Sequence, residues 1–245
     1  MLVLFTGCGG GSSSSELETA IAETSVPTTE SESETTNPDE SAVVVDVDDE
    51  GNTTVSEESL ASALDDIAPG DISEAELAGL LLMREEEKLA RDVYIALFDI
   101  HDLKIFSNIS SSEQSHTDAV LALLNRYHIA DPVGSNAFGV FTNMELQMLY
   151  DALVAARTPL LMGALFVGAK IEELDIADIE PLKTEVVEND DILLVYDNLL
   201  MGSRNHLRAF NKQIVNNGWT YEPEYISQEA YDFIVNGDNE RGDNG

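Results

Sequence analysis

The 245 residues carry 47 acidic and only 12 basic side chains, a formal net charge of -35. That charge repels nucleic acid and anionic membrane surfaces and excludes both as direct partners of the folded surface. A single cysteine excludes an internal disulfide framework and a cysteine-rich metal site.

The chain opens on Leu2-Val3-Leu4-Phe5-Thr6-Gly7-Cys8, an apolar run ending in a small residue and cysteine. This resembles a bacterial lipobox, in which Cys8 takes lipid and becomes the mature N-terminus. Phe5 stands where Leu is usual, no basic residue precedes the run, and the run is shorter than a signal's apolar region. Residues 1 to 8 therefore read as a truncated signal-like segment. They imply a bacterial envelope or extracellular location if Cys8 is lipidated, and a soluble protein otherwise. No other stretch reaches the length of a membrane span.

Residues 9 to 70 are rich in Ser, Thr, Glu and Pro, and no Lys or Arg occurs before Arg84. Too few apolar side chains are present to offset the entropy of ordering, so an acidic, disordered linker is expected. Only Ser41 to Asp46 looks like a strand, and it has no obvious partner. Removing the tract is expected to leave the remainder stable.

From Asp71 the pattern turns helical, and residues 71 to 235 are expected to form one domain ahead of a flexible tail, 236 to 245. Asp71 or Ser73 can cap a first long helix, with Glu74 or Glu76 near its third position. Its apolar stripe runs through Leu77, Leu81 or Leu82, Leu89, Val93, Leu97 and Ile100. A second helix is predicted from about Ser110 to Tyr127. After a loop through Gly139, Thr142 to Ala156 reads as a short helix. A third long helix starts near Thr158-Pro159 and runs to about Glu180, and a fourth spans roughly Thr184 to Asn216. Trp219, Tyr221, Tyr225 and Tyr231 could cover one end. The result is an all-α fold, a ferritin-like four-helix bundle whose one long crossover contains a short helix.

Six polar residues sit on the apolar stripes: Glu86, Glu113, His116, Glu172, Asp175 and His206. A carboxylate buried in such a stripe is costly unless it is paired or binds metal. Glu86 shares the face of Leu82, Leu89 and Val93, whereas Glu85 and Glu87 are expected to point away toward Lys88 or Arg91. Glu113-x-x-His116 brings a carboxylate and an imidazole to one ion at i,i+3 spacing. Glu172-x-x-Asp175 offers two more carboxylates, unless a second stripe through Ala164, Val167, Ile171 and Leu174 is the core and leaves them at its edge. His206 is inward, with Gly202 and Ser203 leaving room one turn earlier. Four carboxylates and two imidazoles suit two divalent irons or manganeses, with zinc or a single metal as alternatives. In a purely structural alternative, the acids pair with Arg84, Arg91, Arg204 or Arg208.

At these residues the chain resembles the ferritin-like DUF2202 family. The resemblance rests on Met83-Arg84-Glu85-Glu86-Glu87-Lys88-Leu89-Ala90-Arg91-Asp92-Val93-Tyr94, Ser112-Glu113-Gln114-Ser115-His116, Gly139-Val140-Phe141-Thr142, the segment from Ile171 to Asp178, and Gly202-Ser203-Arg204-Asn205-His206-Leu207-Arg208-Ala209-Phe210. It implies a four-helix bundle and metal binding over about Glu74 to Ile226. Compared with rubrerythrins and ferritin-like oxidases, Ser203-x-x-His206 replaces the usual Glu-x-x-His of the fourth helix, and Asp175 is the candidate substitute. The functional expectation is a di-iron or di-manganese protein that oxidises ferrous iron or reduces dioxygen or peroxide. The alternative is a surface-tethered metal-binding or structural module without turnover. Assembly state is left open.

Overall fold

The computed structural model describes residues 44–48, 52–155 and 160–241. Cys8 and the signal-like segment lie outside the described residues. Two strands, β1 (Val45–Val47) and β2 (Thr53–Val55), pair antiparallel with Val45 opposite Val55. Helices follow as α1 (Glu57–Asp65), α2 (Glu74–His101), α3 (Lys104–Arg126), α4 (Met144–Ala155), α5 (Leu161–Pro181), α6 (Asp190–Asn216) and α7 (Gln228–Val235). The four long helices α2, α3, α5 and α6 form the bundle. Helix α2 packs chiefly against α3 and α5 against α6, while α4 lies in the crossover between the pairs and packs on α2. This is the ferritin-like arrangement.

Helix α2 begins in a capping box: Ser73 accepts from the Glu76 amide, and Glu76 accepts from the Ser73 amide. The Glu76 carboxylate also accepts from the amides of Glu188 and Asn189 and from Asn189 Nδ2. One buried acid thus ties the start of α2 to the start of α6. Helix α2 ends at Asp102 in the left-handed region, φ 49°.

Between α5 and α6 the chain passes through a π-helical turn, Leu182–Val186, and an extended Val187. Helix α6 therefore starts at Asp190, later than the apolar periodicity suggests. Helix α3 begins earlier, at Lys104, because Phe106 and Ile109 are buried ahead of the predicted start at Ser110.

The stretch expected to be a disordered linker behaves differently in its described part. Val45, Thr53, Val55, Leu60 and Leu64 are buried, and the hairpin and α1 pack on α3 and α6. Thr53 and Val55 donate their amides to Ser112 Oγ and Ser115 Oγ of α3. The strand near residue 45 has a partner after all, and helix-borne hydroxyls satisfy the outer edge of β2. Ser56 caps α1 through the Ser59 amide.

The segment after α6 covers one end of the bundle, as expected for Tyr221 and Tyr231. Helix α7 covers one end with Tyr231 and Ile234, and Tyr221 is buried beside Tyr231, whereas Trp219 and Tyr225 stay exposed. Glu173 anchors this segment by accepting from Tyr221 Oη and from the amides of Tyr225 and Ile226. Glu240, in the expected flexible tail, pairs with Arg204 and Arg208, and its amide donates to Asn205 Oδ1. No helix among the described residues is long and apolar enough to cross a membrane.

Candidate metal centre

Eight consecutive residues of α2, Met83 to Ala90, are buried. Here the helix is surrounded by α3, α5 and the crossover, so no face meets water and a one-sided stripe does not exist. Each charged side chain in the run must find its own partner. Arg84 pairs with Asp131 at 3.0 Å and donates to the Thr117 carbonyl. Glu85 accepts from the amides of Thr142 and Asn143, holding the start of α4. Lys88 pairs with Asp92 at 2.6 Å, donates to the Ala137 carbonyl and lies over the Phe141 ring.

Glu87 does not point away. Its Oε2 lies 3.3 Å from His116 Nδ1. His116 Nδ1 is also 2.8 Å from Glu113 Oε2, and Glu113 Oε1 is 3.0 Å from His206 Nδ1, which is 3.3 Å from Glu172 Oε2. Two groups of potential ligand atoms result: Glu87, Glu113 and His116, and Glu113, Glu172 and His206. Glu113 belongs to both. Helices α2, α3, α5 and α6 each supply at least one member.

Of the six residues singled out from the sequence, Glu113, His116, Glu172 and His206 converge in these groups. Glu86 and Asp175 are equally buried but stand outside both. Asp175 lies in the electrostatic field of Glu87, Glu86, Glu172 and Glu113. Glu86 lies against Asp178 instead. The alternative placing Glu172 and Asp175 at the edge of the core is overturned, since both are fully enclosed.

Tyr94 was not foreseen. It is buried seven residues after Glu87, on the same helical line, and its hydroxyl contacts Glu172 Oε1 and the Gly168 carbonyl. Gly202 matters for a different residue than expected. A Cβ there would stand 2.6 Å from His116 Nε2, so glycine makes room for the imidazole of α3. Ser203 donates to the Leu199 carbonyl one turn back and contributes nothing to the cluster.

Burial raises the Glu87 pKa to about 8 against the opposing pull of His116, and raises Glu172 to about 7 against His206. Burial and neighbouring carboxylates push Glu86 and Asp175 well above the usual carboxylate range. For Glu113 burial acts upward, but the two imidazoles outweigh it and hold the group well below its ordinary value. Burial would lower both histidines. The carboxylates override it and lift His116 to about 10 and His206 to about 9.

The fit to metal can be judged from atoms that lack hydrogen-bond partners. Both oxygens of Glu86 and Asp175, one oxygen each of Glu87, Glu113 and Glu172, Nε2 of His116, and both ring nitrogens of His206 have none. His206 Nδ1 is close to two carboxylates yet not aligned to hydrogen-bond either. Buried polar atoms are ordinarily satisfied, and so many orphans in one place mark a ligand set. None of the four arginines named as alternative partners compensates them: Arg91 pairs with Asp92, and Arg84, Arg204 and Arg208 are engaged as described above. The residues present suit divalent cations bound through oxygen and imidazole nitrogen.

Fold and cluster together define a ferritin-like helical bundle with a carboxylate–histidine centre between its helices. The sequence model of DUF2202, described as an uncharacterized protein domain, matches residues 76–238, and the chain belongs to that family. It is similar to the uncharacterized protein MJ0754 of Methanocaldococcus jannaschii, with 51 % identity over 173 residues, 71 % of this chain and 93 % of the relative. The crystal structure of hypothetical protein MJ0754 from Methanococcus jannaschii superposes with a TM-score of 0.69 at 49 % identity, covering 71 % of this chain and 99 % of that one.

Proposed function

We propose that the domain is a two-metal-binding module. Glu87, Glu113 and His116 would hold one ion and Glu113, Glu172 and His206 the other, with Asp175 as a further donor. The observation that carries this reading is the set of buried, partnerless donor atoms contributed by all four long helices, with no arginine or lysine paired to them among the described residues. Five carboxylates, those of Glu86, Glu87, Glu113, Glu172 and Asp175, are enclosed here, and two divalent ions would offset most of their charge. Iron or manganese suits the donor set, with zinc a weaker match.

A bound ferrous pair would supply electrons for reduction of dioxygen or peroxide. The protein's own residues favour retention over turnover, because α6 brings His206 alone and Ser203 spends its hydroxyl on its own helix. Tyr94 holds one oxygen of Glu172, and Gly202 leaves space for His116.

The test is elemental analysis of full-length protein purified without chelator and loaded anaerobically with iron or manganese. Two ions per chain are expected. Replacing Glu113→Ala and His116→Ala together removes most of the metal while helical circular dichroism persists. Oxygen uptake when iron-loaded protein meets air would move the reading to an oxidase, whereas retained iron without uptake supports the binding module. The lipobox-like segment adds a proposal of its own, a lipid tether through Cys8. A Cys8→Ser change in the native gene product then releases the protein from the membrane fraction, and unchanged attachment contradicts the tether.

A further inference from the structure

We infer that Asp178, Glu86 and Asp175 form a carboxylate ladder that conducts divalent cations from the protein surface to the buried centre. This role rests on the two-metal reading above. Helix α5 carries Glu172, Asp175 and Asp178 at three-residue spacing. Each step is about 4.5 Å along the helix axis, so the three carboxylates span about 9 Å on neighbouring turns.

Their exposure is graded. Glu172 and Asp175 are fully enclosed, and Asp178 is half-buried, so the ladder has one foot in the centre and one at the surface. Across from it, α2 presents adjacent acids facing two ways, Glu87 toward His116 and Glu86 toward Asp178.

Glu86 is the rung that a structural account leaves without a purpose. It is 1 % exposed, and neither of its oxygens receives a hydrogen bond from a donor group. Both Asp175 oxygens are equally unpartnered. The group that acts most strongly on Glu86 is another carboxyl, that of Asp178 on α5. A leucine at residue 86 would cost less stability, because a carboxylate taken out of water is unfavourable unless a counter-charge is supplied. A cation arriving at Asp178 meets at each step an oxygen not already committed to a protein donor. The next acid inward is Asp175, whose closest electrostatic neighbours include Glu87, Glu172 and Glu113. Weak, successive oxygen sites of this kind pass a divalent ion along without trapping it.

The experiment follows cobalt(II) uptake by metal-free full-length protein, using stopped-flow visible absorbance for rate and elemental analysis for final occupancy. Asp178→Asn keeps the side-chain shape and removes the charge. It is expected to slow uptake on the order of tenfold while leaving final cobalt per chain unchanged. Asp178→Glu, which restores a carboxylate, recovers most of the rate. Asp99→Asn removes an exposed charge elsewhere on α2 and controls for general attraction of cations by the acidic surface. Asp178→Asn loading at the rate of wild type or of Asp99→Asn overturns the ladder and leaves the two-metal reading standing. Reduced final occupancy in Asp178→Asn also overturns it, because Asp178 would then hold an ion and not pass it on. Wild-type protein that takes up no cobalt overturns both.

Discussion

His116 and His206, from α3 and α6, lie ring to ring with centroids 5.6 Å apart and planes inclined by 22°. Both turn Nδ1 toward the same carboxylate, Glu113, which presents Oε2 to one and Oε1 to the other at 2.8 and 3.0 Å. Two imidazoles lifted to pKa values of about 10 and 9 would repel at this distance without the anion between them. Glu113 is therefore the member of the cluster whose loss disturbs both halves at once.

Gly202→Ala tests how closely the bundle is fitted around His116. The added methyl would stand 2.6 Å from Nε2, and the ring is walled in by Glu113 and Glu87. Overpacking of this kind costs about 1–3 kcal/mol, and the displaced imidazole lowers metal occupancy. Elemental analysis and thermal melting of the variant check both effects. A variant with wild-type metal content and melting temperature would show that the ring has room to move.

The pH dependence of the metal-free protein follows from the direction of the shifts. The raised histidines contribute stability that is complete below their ordinary 6.5 and is lost as pH rises through about 9 to 10. The raised acids Glu172 and Glu87 destabilise the fold increasingly above 4.5, with the penalty complete once pH passes about 7 and 8. Both act in one direction, so the melting temperature of metal-free protein falls between about pH 5 and 10. Glu113, held low, is ionised throughout this interval and does not reverse the trend. Divalent metal displaces the protons, so it tightens with rising pH and acidifies a weakly buffered solution on binding. Binding without proton release would contradict the ligand set.

Much of the architecture was legible in the sequence. Two caps were legible for α2, Asp71 or Ser73, and the capping box forms at Ser73 with Glu76, while the crossover with its short helix followed from the spacing of apolar runs. The misreading of Glu87 has a physical cause. Periodicity identifies an inward face only where another face meets water, and α2 is enclosed on every side from Met83 to Ala90. The choice between adjacent acids is made by His116, on another helix and 29 residues away. The hairpin was hidden for a related reason. Three-residue strands in an acidic tract carry little pattern of their own, and their stabilising contacts, Ser112 and Ser115, belong to α3.

That hairpin and α1 bear on stability. Leu60 and Leu64 sit one turn apart on α1, and both are buried. Leu60→Ala is expected to cost about 2–3 kcal/mol, which for a domain of this size lowers the melting temperature by roughly 5–10 °C. Deleting residues 44–65 exposes Ser112, Ser115 and Asn205, the chain neighbours of Glu113, His116 and His206, and lowers it at least as far. An unchanged melting temperature after either change would restore the view of this tract as a passive linker.

Glu76 sets the acid limit at the other end of the bundle. Burial acts to raise its pKa, but hydrogen bonds from Ser73, Glu188 and Asn189 outweigh this and hold it at about 2. A depressed carboxylate contributes stability present above its ordinary 4.5 and lost as pH falls toward about 2. Glu76→Gln removes the charge and part of the acceptor capacity, at a cost of about 1–3 kcal/mol near neutral pH. The deficit shrinks as the wild type is acidified through that window. Circular dichroism followed during acid titration measures it, and a deficit that stays constant from pH 7 to 2 would contradict the role.

The account stands or falls on metal held between Glu113 and its neighbours, and the most direct measurement is anomalous diffraction from crystals of the full chain loaded with iron or manganese. Two anomalous peaks are expected, one in contact with Glu87, Glu113 and His116 and the other with Glu113, Glu172 and His206. Density at both positions with no anomalous signal, or histidines and carboxylates paired only with each other under saturating metal, would contradict it.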